Sequence, residues 1–277
     1  MSTLGASSAR GVAGPRARAA RRLRGGWRGL SGIVVVVILA ELASRTALIS
    51  PAALPPISEV LVEAARLLLD GAFLAEVRAT VVAAGTGLGL ATLVAVPVGL
   101  LLGSFRLANQ AASAVIEFLR PIPSVALIPL AILVYGQGAQ MKIALVVYAC
   151  LWPIVFNTVY GVRDVEPLAK ETARVYRTAR LRVLTHVLLP SAAPFIATGI
   201  RIAAAIALIV TISAELLAGA ASGVGSWILA MSSGGASLSL VYAGTLFAGL
   251  LGLILNTSLV AVERRLFRWN SVQQGDR

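Results

Sequence analysis

Six stretches of this chain are apolar over about the length that a helix needs to cross a bilayer, and this repetition limits the fold more than any other feature. They cover residues 30–48, 80–102, 114–135, 141–160, 190–217 and 239–262. A hydrocarbon core about 30 Å thick takes about 20 helical residues to cross. A backbone in lipid has to satisfy its own hydrogen bonds, and a helix does so. The composition agrees: 58% of the residues are hydrophobic and 13% charged, against about 25% charged in a soluble domain. The expected fold is all-α, a polytopic membrane helix bundle of about six transmembrane helices.

The net charge is +12 and nearly all of it is arginine, since Lys142 and Lys170 are the only lysines. A nucleic-acid-binding protein would gather such charge on one face of a soluble domain. Here the basic residues cluster between apolar spans, so no nucleic-acid partner is expected. With the N-terminus cytoplasmic, eighteen of the 24 basic residues fall on the inner side. The positive-inside rule then puts both termini in the cytoplasm of a multi-pass cell-membrane protein. Arg66, Arg78 and Lys142 fall outside, and the connection 218–238 carries no charge. Trp27 and Trp269 flank the first and last spans, as interfacial anchors do.

The expected organisation runs from a disordered basic segment, 1–29, to a first span with a surface helix, 30–72. A transmembrane core, 73–263, and a cytoplasmic tail, 264–277, follow. The pair Arg21-Arg22 precedes a poor match to a twin-arginine signal. A cleaved signal is the other reading of a basic stretch before an apolar run. The run is long, however, and holds Glu41 and Arg45 at a spacing that pairs them on one helix face. The surface helix is expected over 57–74, after Pro55-Pro56, with Val60, Leu61, Ala64, Leu67 and Leu68 at helical spacing. Glu117 and Arg120 are expected to pair like Glu41 and Arg45.

Chemistry-bearing motifs are sparse. Neither lysine follows a glycine, so there is no Walker motif. Cys150 and His186 stand alone, so no metal site is expected. No nucleophile–base–acid spacing appears, and no catalytic residue or cofactor is expected. Gly85, Gly87 and Gly89 sit inside a span, where small residues let helices approach. The inverted repeat of many secondary transporters is not visible. Glu215, Pro121 and Pro123 are the candidates for shaping a solute path, because ionisable residues and prolines inside spans are functional positions. The bland alternative is that they only fix helix packing.

The connection between the fourth and fifth spans, 163–189, is basic and helical in pattern. Asp164, Glu166 and Pro167 suit a helix start. Leu168, Thr172, Val175 and Ala179 follow about a turn apart. Such a helix either docks a partner or only stabilises the bundle.

The run Glu171-Thr172-Ala173, with Leu188-Leu189-Pro190, Pro194 and Gly199-Ile200-Arg201, resembles the cytoplasmic signature of permeases from binding-protein-dependent ABC importers of the type I fold. Pro55-Pro56-Ile57-Ser58, the stretch from Pro121 to Gly138, and Ala214-Glu215-Leu216 before Gly223-Val224-Gly225 are similar to the nitrate, sulfonate and taurine branch. The resemblance implies a permease that dimerises with a second copy and docks an ABC ATPase. It also implies an extracytoplasmic substrate-binding protein that delivers a small organic or inorganic anion such as sulfonate, taurine or nitrate. Glu171, Thr172, Ala173, Arg174, Arg177 and Pro190 would form the coupling element for the ATPase. Thr172 replaces a frequent Ala. Arg177 replaces a Gly whose positive φ turns the chain, a conformation that costs a non-glycine residue roughly 1 kcal/mol or more. Either Arg177 adopts it or the helix runs on. The competing readings are a stand-alone secondary transporter or channel and a membrane scaffold.

Overall fold

The computed structural model describes residues 31–32, 34–46, 48–50, 53–166, 168, 171–172, 175–176 and 178–266. The basic N-terminal segment and the tail beyond Leu266 lie outside them. The described residues are helical, with no strand among them. They fall into two compact units, residues 1–61 and 62–277.

In the first unit α1 covers 34–45, and Ile57 opens α2, Ile57–Leu67. The expected pairing forms: Arg45 Nε lies 2.6 Å from Glu41 Oε1. The same carboxylate accepts from the Ser58 amide and hydroxyl, which ties α1 to the start of α2.

The second unit is built on α3 (Gly71–Ser104), α6 (Ala139–Arg163) and α7 (Leu189–Ala218), whose facing residues make its core. The core is rich in alanine, valine and glycine, which suits spans held together by close backbone approach. Of the three neighbouring glycines only Gly87 meets a partner helix, where a Cβ would lie 2.6 Å from Val146 Cγ1. Gly85 and Gly89 face open space. Farther along α3, a Cβ on Gly99 would lie 2.5 Å from Thr158 Cβ of α6.

Four helices among the described residues are long and apolar enough to cross a membrane, or five with one bent pair counted as a span. They are α3, α6, the helix running through α7, and α9 (Leu238–Leu266). The bent pair is α4 (Arg106–Leu119) with the segment 124–135, a turn of 3-10 helix leading into α5 (Ile128–Tyr135).

The structure corrects three boundaries. The surface helix ends at Leu67 instead of 74, because Asp70 accepts a hydrogen bond from the Ala72 amide and caps a new helix. That helix, α3, therefore starts nine residues before position 80. The span expected as one helix over 114–135 is bent by 75°. Pro121 and Pro123 fall in the break and cannot donate the backbone bonds that would carry the helix through. The uncharged connection 218–238 holds a further helix, α8 (Val224–Ser233). Phe73 of α3, fully buried, packs edge-on against Trp227 of α8 and Phe247 of α9, with centroids 4.8 and 5.1 Å away.

Candidate functional site

Two features of the second unit gather polar chemistry, one toward each end of α6. Near its first turn, Lys142 is 1% exposed and Glu215 of α7 is 0% exposed. Lysine and glutamate are almost never so buried unless paired, and here Lys142 Nζ donates to Glu215 Oε1 at 2.9 Å. The buried Thr80 hydroxyl lies 3.0 Å from both carboxylate oxygens, and the Gly225 amide donates to Oε2 at 3.0 Å. Lys142 also donates to the Ser222 carbonyl at 2.9 Å, and the Val224 amide donates to Thr80 Oγ1 at 2.8 Å. Beside them the Gly223 amide donates to the Glu76 carboxylate.

The first backbone N–H groups of a helix have no partner within it. At α8 the amides of Gly223, Val224 and Gly225 are taken by Glu76, Thr80 and Glu215. Gly223 has φ +123°, and any Cβ there would overlap the Glu215 carboxylate, so no other residue fits. The network thus pins the 219–223 loop onto α3, α6 and α7. Gln137 adds a bond from Nε2 to the Ala218 carbonyl at 2.9 Å.

Toward the other end of α6, a cavity of about 560 Å3 opens between α4 and α6. Asn109, Ser113, Glu117 and Arg120 line it on one side, with Phe156 and Arg163 opposite. Pro121, at the bend, also borders it. Glu117 and Arg120 do not form the expected pair. The Arg120 guanidinium instead lies 4.7 Å from the centroid of the Phe156 ring, a cation–π contact that desolvation strengthens.

The segment between α6 and α7 is described at some of its positions. Glu171 and Thr172 are exposed and helical, and Thr172 donates to the Leu168 carbonyl. Leu168, Val175 and Tyr176 are 66%, 80% and 79% exposed. Ala173, Arg174 and Arg177 lie outside the described residues, and with them the question of the Arg177 turn. Pro190 is exposed and is the second residue of α7, which continues directly from the helical turn before it. Just before it, residues Leu184–Leu188 form a turn of π-helix, a widening that spares the carbonyl a proline ring would strike.

Of the three path candidates, the structure puts Pro121 at the cavity and Pro123 in the same bend. Glu215 sits with the buried network, away from both. Sequence reasoning missed Lys142, Thr80 and Glu76, having counted Lys142 as an external loop charge. The signal was there: single opposite charges near the ends of two apolar runs that an antiparallel arrangement brings to the same depth. The pair Arg201–Glu263, at 3.1 Å between α7 and α9, was missed as well.

The chain matches the family described as binding-protein-dependent transport system inner membrane component over residues 95–268. A putative aliphatic sulfonates transport permease of Bacillus subtilis is 28% identical over 255 residues, 92% of each chain. A bicarbonate transport system permease of Synechococcus elongatus is 28% identical over 200 residues, 72% of each chain. Among solved structures, that of a bacterial alginate ABC transporter in complex with its alginate-bound periplasmic protein superposes with TM-score 0.62 at 13% identity. It covers 89% of this chain and 97% of that one, which is a likeness of fold. The chain belongs to the family of inner membrane components of binding-protein-dependent transport systems, as the permease subunit of an ATP-driven importer whose ATPase is a separate subunit.

Proposed function

We propose that this permease carries a small oxyanion inward, works as a dimer of two copies, and receives the ATPase stroke through the segment around Glu171. The coupling assignment rests on one observation above the others. Leu168, Val175 and Tyr176 are large apolar side chains that stand exposed beside Glu171, on a segment that joins two membrane helices. Exposed apolar groups gathered at one place mark an interaction surface. Glu171, Thr172, Ala173, Arg174 and Arg177 would meet the ATPase there. Pro190 would fix the angle at which the segment enters α7. This segment and both termini would lie on the cytoplasmic side, a reading that the arginine excess supports. An extracytoplasmic binding protein would deliver the solute at the other side.

The oxyanion reading draws on the sulfonate and bicarbonate permeases that the chain is similar to. Pro121 and Pro123 would shape the path through the bend they create. Glu215 would act on it indirectly, by holding the α8 connection in place, because its carboxylate has no accessible surface. The coupling test is co-purification. A Glu171→Lys permease should lose most of its ATPase while its thermal unfolding stays unchanged. Full ATPase recovery with normal uptake would remove Glu171 from the coupling surface.

A further inference from the structure

We propose that the cavity between α4 and α6 is an oxyanion-binding subsite, with the Arg120 guanidinium as its main donor. As a station for the transported solute, the subsite rests on the oxyanion reading above. Positions 109, 113, 117 and 120 recur at about one helical turn, so Asn109, Ser113, Glu117 and Arg120 fall on one face. That face is polar apart from Ile116, whereas Leu107, Val115 and Phe118 stand exposed elsewhere on the same helix. The opposite wall is apolar at Val155, Phe156 and Val159 and ends in Arg163.

Neither Arg120 nor Arg163 forms an ion pair among the described residues. Two arginines against one carboxylate, Glu117, leave the cavity with one net positive charge. Packing over the Phe156 ring occupies a face of the Arg120 guanidinium. Its N–H edge remains, and that flat fork of donors matches two oxygens of a sulfonate, carbonate or nitrate. The Asn109 amide and Ser113 hydroxyl can donate beside it. The apolar wall strengthens such an interaction by lowering the local dielectric. The cavity volume, about 560 Å3, lies in the range of small-molecule sites. Polar side chains gathered on a cavity within a membrane bundle are the arrangement expected along a solute pathway.

A lipid phosphate offers the same chemistry as a free oxyanion, so the experiment separates the two. The purified permease in detergent is treated with phenylglyoxal, and modification of each arginine is followed by mass spectrometry. Ethanesulfonate and nitrate serve as probes, with chloride at equal ionic strength as control and exposed Arg78 as internal reference. The subsite predicts that one probe or both slow modification of Arg120 at least fivefold and of Arg163 to a smaller degree, with Arg78 unaffected. Protection by neither probe, or equal protection by chloride, overturns it. Protection that appears only on adding phosphatidylglycerol assigns the cavity to a headgroup and overturns the solute site. An Arg120 that reacts under no condition means that protein closes the cavity, which overturns it too. The assay needs no ATPase and no uptake. A wild-type complex that imports only an uncharged solute would overturn the oxyanion reading while leaving the protection result standing.

Discussion

At the scale of single residues, the Lys142–Glu215 pair shows why a buried charge is informative. Moving both groups out of water costs several kcal/mol each, and that cost is offset only when every donor and acceptor finds a partner. Here the carboxylate takes Lys142, Thr80 and the Gly225 amide, while the ammonium also reaches the Ser222 carbonyl. Removing one member strands the other. Lys142→Met should destabilise the purified permease by about 3–5 kcal/mol, read as a lowered midpoint of thermal unfolding in detergent. The double variant Lys142→Met/Glu215→Leu should recover most of that loss, since no unpaired charge remains. A double variant no more stable than the single one would mean that the loss comes from packing. By contrast, the pair of Glu63 with Arg66, an arginine side chain 71% exposed, contributes little in solvent.

At the scale of elements, the helices and their apolar faces were legible because length and hydropathy carry them directly. Their ends and breaks were less so, and each miss has a local cause. Asp70 read as one more charge on a surface helix, when its side chain caps the next. Pro121 and Pro123 were read as shaping a solute path, but the apolar length of 114–135, interrupted only by a few polar residues such as Glu117 and Arg120, suggested one span and hid how far the helix turns. The uncharged run after Ala218 looked like a loop because the acids and hydroxyl that anchor α8 come from other helices, Glu76 and Thr80 of α3 and Glu215 of α7. No local pattern reveals a cap supplied from another helix. If the prolines cause the 75° break, Pro121→Ala/Pro123→Ala should straighten it. Spin labels at Ala111 and Val134, both exposed, would then move apart in pulsed distance measurements. An unchanged distance would show that packing against α6 holds the bend by itself.

At the scale of the whole molecule, the candidate site was legible only in part. Sequence singled out Pro121, which borders the cavity, and the Glu171 segment, whose apolar side chains are exposed. Of the arginines that line the cavity, Arg163 read as a topology charge and Arg120 as the partner of Glu117, because sequence does not distinguish an arginine facing a cavity from one facing headgroups or a neighbouring carboxylate. Orientation ties the two ends of the second unit to their partners, and the chain offers a clean way to measure it. Cys150 is the single cysteine and is fully buried, with its thiol directed at the Ala203 carbonyl. Wild-type protein should therefore give almost no background with maleimides. Ala221 and Asp164 are exposed near opposite ends of the second unit's spans. In intact cells a membrane-impermeant maleimide should label Ala221→Cys and leave Asp164→Cys untouched until the membrane is permeabilised. The reverse pattern would invert the topology. It would put Leu168, Val175 and Tyr176 outside the cell, where no ATPase could grip them, and the coupling assignment would fall with it.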